Sequence, residues 1–247
     1  MSWLDGPMVG FDTETTGVSP ATDRIVSAAL IRREGQDVVT TTWLIDPGIE
    51  IPARATEIHG ISTERARAEG AQPADALEEI ASGLADALAS GIPLVGFNVQ
   101  YDLTILESEL ARNGLATLSQ RLPGGIRPIV DPLVLDRHLD RYRKGPRKLI
   151  DMCRIYVVPV VADDLHAADA DVLATLDLVH AIAQRYPTVG KTALTELHDQ
   201  QESAHRTWAL HFVAYLTSKG AVDDLPSADW PVPAPPAVEP EEKTSLF

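Results

Sequence analysis

The stretch VGFDTETTG (residues 9–17) has the alternation of a β-strand followed by the residues of a turn. Side chains two positions apart on a strand point the same way, so Asp12 and Glu14 share one face while Val9 and Phe11 share the other. Two carboxylates held this close repel each other. The stretch therefore has two interpretations: a strand end that exposes both acids to water, or a site where a divalent cation lies between them.

Two further β-rich runs follow, RIVSAALIRR (24–33) and DVVTTTWLI (37–45), and the short segment EGQ between them reads as a hairpin turn at Gly35. Three antiparallel strands therefore open the fold. The next segment, PADALEEIASGLADALASG (73–91), has apolar residues at intervals of three and four, which predicts an amphipathic helix that ends at Gly91.

Strands and helices then alternate along the chain. The order predicts an α/β fold in which a mixed five-stranded sheet, three antiparallel strands and then parallel ones, is flanked by helices. The segments are a strand in IPLVGFN (92–98), a helix in YDLTILESELARNG (101–114), a strand in PIVDPL (128–133) and a helix in HAADADVLATLDLVHAIAQRY (166–186).

The chain divides into three predicted segments. Residues 1–187 hold the α/β pattern and form the main domain. Residues 188–222 form a helical appendage, whose apolar side includes Trp208 and Phe212 and is more typical of core packing than of a partner site. Residues 223–247 are rich in proline and acid, a composition that predicts a disordered tail.

Further acids follow the later strands. Asp102 comes just after the strand that ends at Asn98, at the sheet edge where ligands gather in such folds. His166 and Asp171 lie at the start of the last helix of the main domain. Each has a structural alternative, because acids favour helix N-termini and an isolated histidine is more often a surface residue.

Taken together, FDTETTG (11–17), GFNVQYD (96–102) and HAADADV (166–172) resemble the three motifs of the DEDDh exonuclease family, in order and spacing. The segment IHGIS (58–62) resembles the family's His-Gly-Ile segment. The likeness covers about residues 7–187 and is greatest to the exonucleases that resemble the epsilon subunit of DNA polymerase III. It implies a ribonuclease-H-like fold and stepwise hydrolysis from the 3′ end of single-stranded or frayed DNA, which releases nucleoside monophosphates.

The resemblance also implies the roles of individual residues. Asp12, Glu14, Asp102 and Asp171 would hold two Mg²⁺ or Mn²⁺ ions, and His166 would take the proton of the attacking water. Phe97 could stack on a base or belong to the core. The residues expected to line the pocket for the terminal nucleotide are Thr15, Thr16, Gly17, His59, Phe97 and Asn98.

The net charge of −15 opposes binding to a polyanion, so a nucleic-acid function requires a local group of cations. The segment DRHLDRYRKGPRKL (136–149) supplies such a group. We expect Arg141, Arg143 and Lys144 to contact the backbone of the incoming strand, with a polar surface helix and turn as the alternative.

The remaining features concern location and partners. The sequence has neither a signal-like N-terminus nor an apolar run long enough for a membrane span, and its single cysteine, Cys153, allows no internal disulfide, so we expect a soluble cytoplasmic protein. The final residues Thr244–Phe247 partly resemble peptides that dock on the replication sliding clamp, although a solvated tail is the simpler interpretation.

Three alternatives to a DNA exonuclease remain at this point. An exoribonuclease would use the same acids, and the 2′-hydroxyl contacts that distinguish RNA from DNA cannot be read from sequence. A non-catalytic binding module on this fold would have no physical reason to keep all five residues of the motifs. A Rossmann-type nucleotide binder is disfavoured, since no G-x-G-x-x-G follows a strand.

Overall fold

The computed structural model describes residues 2–160, 167–223 and 225–233. Its sheet has five strands in the order β3-β2-β1-β4-β5, with β1 antiparallel to β2, β2 antiparallel to β3, and β1, β4 and β5 parallel. This arrangement confirms the predicted mixed sheet. The strands are β1 Met8–Thr15, β2 Ile25–Glu34, β3 Asp37–Leu44, β4 Leu94–Val95 and β5 Ile129–Val130.

The helices cover both faces of the sheet. They are α1 Ala53–His59, α2 Thr63–Glu69, α3 Pro73–Ala89, α4 Val99–Arg112, α5 Leu118–Arg121, α6 Pro132–Leu139, α7 Leu149–Tyr156, α8 Ala168–Arg185, α9 Pro187–Lys191 and α10 Leu194–Ser218. The hairpin turn between β2 and β3 contains Gly35 with φ of 60°, a conformation that glycine adopts without strain.

Strand β1 separates two hydrophobic clusters. Val9 and Phe11 pack on one face with α3 and α4, where Leu84 and Leu106 are fully buried. Met8 belongs to the other cluster, which α7 and α8 complete with residues that include Val172. The alternation of β1 therefore assigns Val9 and Phe11 to one core and the face that bears Asp12 and Glu14 to the side of α8.

The two parallel strands are shorter than their sequence patterns suggested, with two residues each. After Val95 the chain leaves the sheet and turns at Asn98, which has a left-handed conformation (φ 58°, ψ 38°) and directly precedes α4. After Val130, Asp131 accepts a hydrogen bond from the backbone N–H of Leu133 and Pro132 begins α6. A short parallel strand that turns at once into a helix brings two helix N-termini to one sheet edge.

Helix α10 runs alongside β5 in the same direction. His198 accepts a hydrogen bond from the backbone N–H of Ile129 (3.1 Å). Three residues later, Gln201 donates to the carbonyl of Ile129 (3.0 Å) and accepts from the N–H of Asp131 (2.8 Å). These bonds satisfy the outer edge of β5, which has no further strand beside it in the described sheet.

The expectation of a disordered tail from residue 223 is wrong for the described residues 225–233. Trp230 is only 4% exposed, belongs to the cluster that contains Phe11, and lies 5.0 Å from the ring of His198. His205 forms a hydrogen bond with the backbone carbonyl of Ser227, and the side-chain amide of Gln100 donates to the backbone carbonyl of Asp229. The composition argument failed here because one large aromatic residue buries enough apolar surface to anchor a short polar segment.

No described helix is long and apolar enough to cross a membrane. The sliding-clamp motif at Thr244–Phe247 lies outside the described residues and stays a prediction.

The burial of Trp230 leads to a stability prediction. We expect Trp230→Ala to lower the free energy of unfolding by about 3–5 kcal/mol, the usual cost of emptying a buried aromatic site. For a chain of this size the melting temperature should fall by roughly 10 °C. Val222→Ala, at a position that is 80% exposed, is the control and should melt like the parent. Equal melting of the two variants by circular dichroism would contradict the packing described for residues 225–233.

Candidate active site

Three carboxylates converge where β1 meets the first turn of α8. Oxygen atoms of Asp12, Glu14 and Asp171 all lie within 4.8 Å of one another, and all three side chains are partly exposed. Asp12 and Glu14 come from one face of β1, as the alternation predicted, and Asp171 comes from the helix that covers this face. The structure therefore brings together acids that lie far apart in the sequence.

Gly10 allows this convergence. It lies on the same face of β1 as Asp12, and a Cβ atom at this position would overlap Cγ1 of Val172 and lie 3.3 Å from Leu176. Helix α8 thus packs directly on the strand backbone. Because Val172 follows Asp171 in the chain, the close approach at Gly10 sets how far the Asp171 carboxylate lies from Asp12 and Glu14.

Asp102 approaches the same strand from the opposite face. It is 4% exposed, and its Oδ1 accepts the backbone N–H of Thr13 (3.1 Å) and the Thr13 hydroxyl (2.7 Å). Thr13 lies between Asp12 and Glu14, so these two bonds hold Asp102 next to the pair. Asp102 lies outside the 4.8 Å cluster of the other three acids, but its charge raises the pKa of both Asp12 and Glu14.

A buried aspartate, Asp131, holds the start of α4. Its carboxylate accepts the backbone N–H groups of Asn98 and Val99 (both 3.1 Å) and of Leu133 (2.8 Å). It therefore satisfies N-terminal donors of both α4 and α6. Since Asp102 lies in the first turn of α4, Asp131 fixes the position of Asp102 indirectly, and Gln201 of α10 in turn bonds to Asp131.

The acids raise one another's pKa. Burial, and then the charges of Asp102, Asp171 and Glu14, raise the pKa of Asp12. Burial together with Asp171 and Asp102 raises the pKa of Glu14 to about 8. Burial raises the pKa of Asp102 to about 7 although its bonds to Thr13 oppose the shift. The charged forms are thus unfavourable in the protein alone, and a positive charge at this place would relieve the repulsion.

This donor set fits a divalent cation that prefers oxygen ligands. The cluster contains carboxylates only, with no thiolate or imidazole among its three members, and it is open enough for water to complete the coordination. Asp12, Glu14 and Asp171 would be the direct ligands. Asp102, which bonds to Thr13 between Asp12 and Glu14, would be the fourth acid near the ion. A second described cluster, His198, Asp199 and Glu202, is engaged elsewhere, because His198 bonds to Ile129 and Asp199 pairs with Arg127.

The turn after β1 is tightly held by hydrogen bonds. The hydroxyls of Thr15 and Tyr101 lie 2.8 Å apart and both donate to the carbonyl of Gly17. The Thr16 hydroxyl donates to Asp23 (3.0 Å). Thr15, Thr16 and Gly17 were predicted to line the nucleotide pocket, and they directly follow Glu14 in a turn that these hydrogen bonds hold. Their contact with a nucleotide stays a prediction.

Two of the other predicted pocket residues have distinct surroundings. His59 ends α1, its Nδ1 accepts the N–H of Ile61 (3.1 Å), and its buried Nε2 has no hydrogen-bond partner among the described residues. Burial lowers its pKa, although the backbone of Thr15 opposes this shift, so the ring lies near the end of β1. Phe97 is partly buried against the α8 cluster, which favours a packing role.

The basic segment after α6 is only partly available for a ligand. Arg143 and Arg147 both donate to the fully buried carboxylate of Asp136 (2.8 and 2.6 Å), and Tyr156 donates to its other oxygen (2.8 Å). The predicted substrate residue Arg143 therefore has a structural partner. Arg141 and Lys144 are exposed.

His166 lies outside the described residues, so its catalytic role stays a prediction. Sequence reasoning missed the supporting residues of the site, namely Thr13, Tyr101 and Asp131. Asp131 had a signal, because an aspartate before a proline is typical of a helix N-terminus. Reading PIVDPL as a single strand concealed it. Thr13 and Tyr101 had no signal, since their bonds depend on tertiary contacts.

The packing of α8 on Gly10 leads to a prediction about metal binding at the site. We expect Gly10→Ala to displace α8 from β1 and to abolish the stabilisation of the protein by millimolar Mn²⁺, because Asp171 would move away from Asp12. Gly83→Ala is the matched control: its Cβ would make an ordinary 3.5 Å contact with Leu30, and alanine is favoured over glycine inside a helix by about 1 kcal/mol. Thermal melts with and without Mn²⁺ compare the two. A full Mn²⁺ response in Gly10→Ala would contradict this account of the strand–helix contact.

A second prediction concerns pH. Folding raises the pKa of Glu14 from 4.5 to about 8, so the folded state binds a proton more tightly than the unfolded state. Its contribution to stability is present below pH 4.5 and is lost as the pH rises through 8. In EDTA the melting temperature of the parent should therefore fall more steeply between pH 5 and pH 8.5 than that of Glu14→Gln, which has no charge to repel. Parallel curves would show that Glu14 titrates normally.

The comparisons with known proteins agree with this geometry. The family model for exonucleases of the RNase T type matches residues 9–179. A DNA polymerase III of the PolC type from Lacticaseibacillus paracasei is 28% identical over 194 residues, which cover 78% of this chain and 12% of the relative. A second PolC-type DNA polymerase III, from Caldanaerobacter subterraneus, is 25% identical over 196 residues, which cover 79% of this chain and 13% of that relative. The chain thus spans about an eighth of the length of these curated relatives.

Solved structures show the same fold. Exonuclease I of E. coli, in a complex with a dT13 oligonucleotide, superposes with a TM-score of 0.61 at 22% identity and covers 74% of this chain and 42% of that one. The complex of the same enzyme with dA16 gives a TM-score of 0.64, also at 22% identity. The match covers 81% of this chain and 44% of the Exonuclease I chain. Since the family model matches more than half of the chain, the resemblance seen in the three motifs is confirmed, and the chain belongs to the RNase T family of exonucleases.

Proposed function

We propose that the protein is a metal-dependent 3′–5′ exonuclease that hydrolyses single-stranded or frayed DNA and releases nucleoside monophosphates. One observation carries the proposal: Asp12, Glu14 and Asp171 converge within 4.8 Å beside the buried Asp102. Carboxylates forced together in this way are unfavourable unless a cation is bound, so the arrangement has a cost that metal binding would offset.

Two Mg²⁺ or Mn²⁺ ions, when bound, would polarise the scissile phosphate and stabilise both the attacking and the leaving oxygen. Asp12, Glu14 and Asp171 would hold them, with Asp102 as the fourth acid. Without them the cluster offers no positive charge to a phosphate, because its members are carboxyl groups only. The site would therefore bind the strand end productively only in the loaded protein.

Other residues of the chain would bind and orient the terminal nucleotide. The turn of Thr15, Thr16 and Gly17 is held by hydrogen bonds to Tyr101 and Asp23, so it would present one surface to the sugar and base. The ring of His59 lies close to the backbone of Thr15, so it would support this turn beside the terminal nucleotide. His166 would accept the proton of the attacking water.

DNA is favoured over RNA as the substrate. The PolC-type relatives are DNA polymerases, and the Exonuclease I structures that share the fold hold DNA oligonucleotides. An exoribonuclease is the second candidate, since the acids would act on either polymer. A non-catalytic binding module is disfavoured because such a module would gain nothing from four mutually repelling acids.

A matched pair of variants tests the proposal. Asp171→Asn removes an acid of the cluster, whereas Asp169→Asn removes an exposed acid from the same turn of α8. With Mn²⁺ and a 5′-labelled 20-nucleotide DNA, the parent and Asp169→Asn should shorten the strand stepwise from its 3′ end. Asp171→Asn, Asp12→Ala and His166→Ala should lose at least 100-fold in rate. An RNA of the same sequence gives the preference between the two polymers.

The possible results separate the candidates. Faster release from RNA than from DNA would select the exoribonuclease. No release from either polymer, with Mn²⁺ binding demonstrated by calorimetry, would leave the binding module. Equal activity in Asp171→Asn and Asp169→Asn would contradict the role of the carboxylate cluster.

A further inference from the structure

A groove of about 830 Å³ lies between α6, the segment that follows it, and one side of α10 from Glu196 to Tyr215. It is separate from the carboxylate cluster, and none of the acids of that cluster lines it. The residues that give the groove its character are Arg137, Arg141, Arg147, Trp208, Phe212 and Tyr215.

The aromatic side chains of this groove form a ladder on one side of α10. The rings of Trp208 and Phe212 are 5.4 Å apart with planes inclined by 22°, and those of Phe212 and Tyr215 are 6.3 Å apart and inclined by 13°. Phe212 is 37% exposed and Tyr215 is 56% exposed. Nearly parallel, exposed rings along a groove are a platform on which planar groups can stack.

Positive charge accompanies the rings. The guanidinium of Arg137 lies 3.7 Å from the centre of the Trp208 ring, and Arg141 stands at the exposed side of the groove. Arg143 and Arg147 share the single negative charge of Asp136, so this trio keeps a net positive charge. Of the two acids that line the far end, Asp199 is paired with Arg127, whereas Glu196 accepts from the neutral amide of Gln200 and keeps its charge. The arginines still outnumber this one unpaired acid. The groove is thus locally basic on a chain of net charge −15.

The aromatic part of the groove lies further along α10 than the carboxyl ends of the parallel strands. Gln201 bonds to Asp131 at the carboxyl end of β5, and α10 continues past this point, so Phe212 lies roughly 16 Å further along the helix axis. Strand β5 itself lies about 10 Å from β1, two strand spacings away. These two displacements combine to roughly 19 Å, which a stacked single strand of about six nucleotides, at about 3.4 Å each, would span.

We propose that this groove is a second binding site for single-stranded nucleic acid, which holds the upstream part of the strand whose 3′ end lies at the carboxylate cluster. Bases stack on Phe212 and Tyr215, Arg137 and Arg141 face the phosphates, and Arg147, which is held by Asp136, adds to the positive field. This inference rests on the proposed function for the identity of the strand, while the binding itself requires neither metal nor hydrolysis. The alternative occupant of the groove is an apolar peptide, and absence of dT20 binding to the parent would overturn the nucleic-acid proposal in its favour.

The first experiment measures binding alone. In EDTA, which prevents cleavage, the full chain should bind a fluorescein-labelled dT20 in an anisotropy titration. Phe212→Ala/Tyr215→Ala should weaken this binding at least tenfold, because each stacked base contributes about that factor. Leu210→Ala is the matched control, since Leu210 is as exposed as Tyr215 on the same helix but does not line the groove. All variants should melt like the parent.

The second experiment relates the groove to hydrolysis. With Mn²⁺, kcat/KM of the parent should rise with strand length from dT2 to about dT8 and then level off, and the double variant should lose this rise. If neither DNA nor RNA is cleaved, the proposed function fails. The anisotropy titration then still shows whether the groove binds single-stranded nucleic acid. Unchanged dT20 binding in the double variant, or an equal loss in Leu210→Ala, would overturn the groove proposal.

Discussion

The direct contact of α8 with the backbone of β1 at Gly10 determines the geometry of the whole site. The strand carries Asp12 and Glu14 on the face that the helix covers, and the helix carries Asp171 one residue before the valine that packs on Gly10. Any side chain at this position would hold the two elements apart. Apolar packing of Val172 and Leu176 therefore provides the free energy that holds carboxylates together against their repulsion.

The other parts of the site follow from the same arrangement. Thr13 points to the opposite face of β1 and bonds to Asp102, so the strand lies between two sources of negative charge. Asp131 holds the start of the helix that bears Asp102, and Gln201 connects Asp131 to α10. The first turn of α4, Asp131 and Gln201 thus connect Asp102 to the appendage. Residues 225–233 add to this connection because Trp230 packs beside His198, on the helix that carries Gln201.

Much of the fold could be predicted from local patterns. The alternation in β1, the glycine turn after β2 and the apolar periodicity of α3 each specify an element by themselves, and the order of elements specified the mixed sheet. The four acids could be named because they lie in motifs with fixed spacing. The role of Gly10 could not be predicted, since it depends on a valine more than 160 positions later. The position of residues 225–233 was missed because average composition does not reveal one well-placed tryptophan.

A carboxylate cluster of this geometry should hold divalent cations. Anomalous diffraction from a crystal of the full chain grown with Mn²⁺ would show whether it does, because the scattering identifies both the element and its place. The account predicts strong anomalous density between Asp12, Glu14 and Asp171, with Asp102 alongside. Density only at His198, Asp199 and Glu202, or none near β1 at a saturating Mn²⁺ concentration, would contradict it.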